Sequence, residues 1–179
     1  TLCIFLYRPQ YFIEDIEAYL NYKFSSTYDG IINIGKIKGN FIYGFNIGPV
    51  RYLINDTIIF SAQNIYIDPD LSRMLLGSFT LSDLSISNSY LNIDLLKLQN
   101  HEWIKDYPSN SLGYHITSIS IEDILVLFDN KMYGLNGELE YERSKAFTIG
   151  INKLNIQSPD WPDSLIFTDG LLRYSNNEI

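Results

Sequence analysis

One eight-residue pattern returns three times at equal spacing: apolar, any, apolar, any, any, apolar, any, apolar. It runs Phe79-Thr-Leu81-Ser-Asp-Leu84-Ser-Ile86, then Tyr114-His-Ile116-Thr-Ser-Ile119-Ser-Ile121, then Ile149-Gly-Ile151-Asn-Lys-Leu154-Asn-Ile156, with copies 35 residues apart (79, 114, 149). A weaker copy is Phe60-Ser-Ala62-Gln-Asn-Ile65-Tyr-Ile67. Alternation of period two is the mark of a strand with one apolar face. The two-residue step in the middle would turn that face over in a regular strand. A β-bulge restores it and adds bend and twist. The pattern therefore predicts long strands, bulged midway, in a curved sheet, and the equal spacing suggests an array that continues past Ile179.

Composition supports strands. Hydrophobic residues make up 46% of the 179 and aromatics 15%, too apolar for a disordered chain. Tyr, Phe, Ile and Thr suit a pleated, half-buried surface. Ahead of the first copy, Phe41, Tyr43, Phe45 and Ile47 alternate, then Val50, Tyr52 and Ile54, then Ile58, Phe60 and Ala62, then Ile65 and Ile67. Gly, Pro, Asn or Asp bounds each run, as expected for successive antiparallel strands. A short helical turn is expected over Asp70–Leu75, and no other helix after residue 30.

The first 27 residues read differently. Thr1–Tyr7 is apolar and ends at Arg8. Seven residues are too few to span a bilayer, which needs about 20. The expectation is the end of a transmembrane anchor in residues 1–7, within a chain that is a segment of a longer protein. Pro9 then suits the first position of a helix. Phe12, Ile13, Ile16, Tyr19, Leu20 and Phe24 recur at helical spacing, opposite Glu14, Asp15, Glu17 and Asn21. An amphipathic helix is expected over 8–27 and a sheet domain over 28–179. His101–Ser111 and Ser158–Asp163 read as loops.

Chemistry is harder to find. Net charge is -8 with no block of Lys or Arg, which disfavours nucleic acid. His101 and His115 are the only histidines and Cys3 the only cysteine, and no G-x-S-x-G motif exists. No nucleophile, base and orienting group come together, so no catalytic residue is assigned and the chain reads as a non-enzyme. The best carboxylate pairs, Asp68 with Asp70 and Asp160 with Asp163, fall in turns, where Asp bonds to its own backbone. Glu138, Glu140 and Glu142 share one strand face and read as solvated. No metal or cofactor is expected. The apolar strand faces fit either a sandwich core or the lining of an open groove. A secreted β-sandwich for a carbohydrate or protein ligand, with Trp103 and Trp161 as a sugar platform, is the alternative.

The order of these features resembles the N-terminal region of the AsmA-like and TamB-like envelope proteins. Leu2–Tyr7, Pro9–Phe24 and the strands from Ile31 match their membrane helix, amphipathic helix and long sheet. Gly39-Asn-Phe41-Ile-Tyr-Gly44-Phe45-Asn-Ile47-Gly-Pro-Val50 is similar to an early glycine-flanked strand of the family. Ile58–Pro69 and Leu75-Leu76-Gly77-Ser-Phe79 through Ile93 are similar to the strand, Pro turn, Leu-Leu-x-Gly step and strand pair that follow. Asp68 stands where the family pattern has an aromatic. The resemblance implies a mainly β fold: a curved, bulged antiparallel sheet forming an open groove, preceded by one amphipathic helix and the end of a transmembrane helix. It implies inner-membrane anchorage with the bulk in the periplasm, and phospholipid acyl chains as ligand. An outer-membrane β-barrel protein is the further implied partner. The function implied is lipid transport between membranes or outer-membrane assembly. On that reading Phe79, Leu81, Ile116 and Ile151 line the groove.

Overall fold

The computed structural model describes residues 14–15, 17–19, 21–22, 30–76, 79–98, 114–143 and 147–174. Eight strands form one sheet in chain order: β1 (Gly30–Asn40), β2 (Gly44–Ile54), β3 (Thr57–Pro69), β4 (Phe79–Asn92), β5 (Tyr114–Phe128), β6 (Lys131–Arg143), β7 (Phe147–Gln157) and β8 (Leu165–Tyr174). The strands are mainly long, and all the described ones belong to this sheet rather than to two packed sheets.

Turn chemistry explains the sharp reversals. Asn55-Asp56 joins β2 to β3 and Asp129-Asn130 joins β5 to β6, all four residues at positive φ. Two such residues between strands match the twist of an antiparallel hairpin, and Asn and Asp tolerate that conformation best. At the other end of the strands Asn40 makes the β1–β2 turn, its side chain accepting from the Ile42 and Tyr43 amides at 2.9 Å each. The expected strand through Phe41 and Tyr43 is thus a turn.

The sheet is mixed, which corrects the antiparallel expectation: β4 and β5 are parallel. Parallel neighbours need a crossover in place of a hairpin, and the chain between Asn92 and Tyr114 supplies it. The pairing is in step with the sequence repeat. Phe79 pairs with Tyr114, Leu81 with Ile116, Leu84 with Ile119 and Ile86 with Ile121, each 35 residues on. The third copy lies in β7, across β6, and is out of step: Ile116 and Ile149 both pair with Tyr141, and Ile119 and Ile151 both pair with Leu139.

The expected bulges are present. The β3–β4 register shifts between Leu84 and Leu81, the β5–β6 register between Ile116 and Ile119, and the β6–β7 register between Ile151 and Lys153. Each adds one residue on the strand that carries the two-residue step.

Two short helices sit at opposite ends of the strands. Helix α1 (Leu71–Leu75) follows β3, capped by the Asp70 carboxylate on the Arg73 amide. Helix α2 (Ile93–Leu98) follows β4. It was not expected, because Leu91, Ile93 and Leu95 alternate as a strand would. The Asn92 side chain decides the matter by capping the Leu95 amide at 3.1 Å. Asp94 then accepts from the Asp129 and Asn130 amides and ties α2 to the β5–β6 hairpin. Leu95 packs on the buried cluster of Ile32, Tyr52, Ile54 and Ile59.

Residues 14, 15, 17–19, 21 and 22 are helical, within the expected helix. The Asn21 amide group donates to the Ile32 carbonyl at 2.8 Å and accepts from the Ile32 amide at 2.6 Å. It mimics a neighbouring strand on the outer edge of β1. The proposed anchor in residues 1–7 and the His101–Ser111 loop lie outside the described residues. Among those described, no helix is long and apolar enough to cross a membrane.

Candidate apolar binding face

Residues paired across a sheet share a face, so the register defines rows that cross the molecule. Strand β6 is the ruler: Tyr133, Leu135, Gly137, Leu139 and Tyr141 alternate regularly on one side. Outward from Leu139 runs the row Phe45, Ile67, Leu84, Ile119, Leu139, Ile151. Beside it run Ile47, Ile65, Ile86, Ile121, Gly137, Leu154 and, one row further, Val50, Ala62, Ser89, Ile124, Leu135, Ile156. Between these last two rows Asn88 and Asp123 adopt positive φ. The turned backbone lets three-residue steps such as Ile121 to Ile124 keep their apolar residues on one side. Apart from Gly137 and Ser89, these three neighbouring rows are apolar throughout.

The predicted residues fall within this face. Leu81 and Ile116 are direct partners in one row, with Tyr141 and Ile149 beyond. Ile151 lies one row away, beside Leu139. Phe79 pairs with Tyr114 in the outermost row, and its side chain lies outside the described residues. Ile119, Ile121, Leu139 and Leu154 belong to the same surface. The signal for this part of the face in the sequence is the alternation of Leu135, Leu139 and Tyr141 with Glu138 and Glu140 along β6.

Coverage of this face is uneven. Ile32, Tyr52, Ile54 and Ile59 are buried at the end where Leu95 sits. From β5 to β7, Ile116, Ile119, Ile121, Leu139, Ile151 and Leu154 are only half-buried, and on β8 Phe167 is 47% exposed. No described element packs over that part as a second layer. A sheet with one apolar face ordinarily buries it against another element.

The opposite face is polar over the middle of β5–β7, and carries exposed apolar residues at Ile31 and Ile58, at Leu125 and Met132, and at Ile166 and Leu171. Ser120, Glu138 and Lys153 form one row there, and Glu138 and Glu140 are exposed as expected. With Glu122, Asn136 and Asn155 they line a shallow cleft of about 250 Å³. On the same side Tyr66 has its hydroxyl pKa pushed up, first by burial and then by the Asp68 and Asp83 carboxylates. Asp68 and Asp83 are direct partners across β3 and β4. Among the described residues no three His, Cys, Asp or Glu side chains come close enough to hold a metal. His115 lies in β5, paired with Thr80 and Glu142. Trp161 packs against Tyr133 with ring centroids 5.8 Å apart and planes tilted by 60°, and Tyr133 lies 6.5 Å from Phe128, at the α2 end.

No protein-family model matches this chain, and no curated protein matches it.

Proposed function

We propose that the chain is a non-enzymatic lipid-handling protein whose apolar sheet face receives phospholipid acyl chains. The observation that carries this reading is the run of half-exposed Ile and Leu side chains across β5–β7, over which no described element packs as a second layer. An uncovered apolar area this wide marks a surface made to meet another apolar partner. Acyl chains suit it because they need only a continuous apolar surface, and the face offers almost no hydrogen-bonding groups. The bulges at Ser82, at Thr117–Ser118 and at Asn152 support a sheet that bends around such a ligand. The resemblance to AsmA-like and TamB-like proteins adds the setting: an inner-membrane anchor, a periplasmic groove, and lipid transport or outer-membrane assembly as its purpose.

Phospholipid extraction followed by mass spectrometry tests the reading on the chain purified from a bacterial envelope. The wild type carries phospholipid. Ile116→Asp with Ile151→Asp, in a variant whose circular dichroism and melting show a folded sheet, carries none. A folded, lipid-free wild type contradicts the proposal.

A further inference from the structure

The two outer edges of the sheet are finished differently. Strand β1 is one edge. It carries the exposed Lys36 and Lys38, and the Asn21 side chain takes up the backbone groups of Ile32. Strand β8 is the other edge. Its sequence holds neither Lys nor Pro, the residues that ordinarily guard an edge. Ile166, Phe167, Leu171 and Leu172 are exposed along it, and no described element lies on its outer side. A row of backbone N–H and C=O groups at strand spacing is complementary to another extended strand.

The backbone step at Asp169 narrows the choice of strand. Asp169 has positive φ. By their β7 partners, Leu165, Phe167, Gly170 and Leu172 share the apolar face, and Ile166, Thr168 and Leu171 share the other. The faces exchange parity in mid-strand, so a regular strand laid along this edge would match only half of it. Strands β4, β5 and β7 contain such steps too, but each has a neighbour on both sides. Among the described strands β8 is the stepped one with an open edge. Turned end for end about Asp169–Gly170, it matches itself. Leu165 then falls opposite Tyr174, Phe167 opposite Leu172 and Thr168 opposite Leu171, each pair on one face. Asp169 falls opposite Gly170, so no like charges are directly opposed.

We propose that β8 pairs antiparallel with β8 of a second copy of this chain, about a two-fold axis perpendicular to the sheet at Asp169–Gly170. The contact uses the same surface on both molecules and closes at a dimer. It doubles the width of the sheet, and the half-exposed apolar rows continue from one copy into the other on one side. The inference concerns assembly and stands apart from the lipid-handling reading.

Sedimentation velocity of the full chain over a range of micromolar concentrations tests it. The wild type shows a monomer–dimer equilibrium. Thr168→Lys with Leu171→Lys opposes two lysines in both symmetric pairs and weakens the dimer about 10-fold. It does so although it brings the net charge of -8 nearer zero, a change that favours non-specific association. Thr168→Lys with Leu171→Glu opposes Lys to Glu and keeps the dimer at wild-type strength or above. Both positions are exposed, so both variants retain the circular dichroism of the sheet. A monomeric wild type overturns the proposal, including one whose β8 amides are protected from exchange by a segment of the same chain. Association beyond the dimer, or equal affinity of the two double variants, also overturns it.

Discussion

In β1–β3 the apolar-face residues Ile32, Ile37, Phe45, Tyr52, Ile54, Ile59 and Ala62 are buried, whereas in β6–β8 the residues that continue the same rows are not. Both halves have the same alternation, strands of 10–13 residues and antiparallel pairing. For Ile32, Tyr52, Ile54 and Ile59 the difference comes from outside the sheet. Leu95 of α2 lies on the first half, and Asn21 closes the outer edge of β1. On β8, by contrast, side chains on both faces are exposed: Phe167 and Leu172 on the apolar face at 47% and 58%, Ile166 and Leu171 on the other at 60% and 69%. Alternation builds an apolar face, and burial depends on what is placed over it. The first half is a core in the ordinary sense, and the second leaves its apolar surface half-exposed.

That contrast is broken most sharply by truncation. Ile59→Ala, at a side chain only 2% exposed, costs about 3–4 kcal/mol of stability by denaturant titration, from lost transfer energy and the cavity left behind. Ile151→Ala, in the second half, costs under about 1 kcal/mol, since a half-exposed side chain loses less contact. Equal losses at the two sites would erase the distinction.

Next in size is the cover itself. Leu95→Ala removes the α2 contact and costs roughly 2 kcal/mol, at the low end for core truncations. Hydrogen exchange of the Ile32, Tyr52 and Ile54 amides rises with it, while β6 and β7 amides exchange as before. Asn21→Ala leaves the Ile32 amide and carbonyl without their partner, at about 1–2 kcal/mol. It also opens a strand edge, so concentration-dependent association by light scattering is expected. Ile166→Lys on β8 changes stability by less than about 0.5 kcal/mol and reduces association.

The smallest effect is at Asp70. The Ser72 hydroxyl, followed by the Arg73 amide, holds its carboxyl below the usual carboxylate range. The folded form therefore binds that proton less readily than the unfolded chain. The cap is at full strength above the ordinary Asp value and is lost as pH falls through the lowered one. NMR shifts of the Ser72 and Arg73 amides, followed during acidification, report it.

Much of the fold was legible in particular residues. The two-residue steps at Leu81–Leu84, Ile116–Ile119 and Ile151–Leu154 announced the bulges, and Asp70–Leu75 announced α1. The parallel β4–β5 pair stayed hidden, although its register equals the repeat spacing, because alternation carries no information on strand direction. Helix α2 stayed hidden because Ile93 and Leu95 fit either period, and only the Asn92 cap separates them. Leu81, Ile116 and Ile151 share a face because the bulges keep it continuous, which the pattern implied. Leu81 is buried while Ile116 and Ile151 are half-buried, and the burial of Ile32, Tyr52, Ile54 and Ile59 involves Leu95, a long-range contact that no local pattern encodes.

On the proposed function, the half-exposed rows of β5–β7 face lipid. Site-specific photocrosslinking tests it most directly, with a photoreactive phenylalanine placed in turn at Ile119, Ile151, Glu138 and Lys153 in the chain expressed in a bacterial envelope. The first two lie on the apolar face and the last two on the polar face of the same strands or their neighbours. Phospholipid adducts at Ile119 and Ile151, with none at Glu138 and Lys153, are the predicted result. Adducts to protein at the apolar positions, or equal lipid labelling on both faces, would contradict the account.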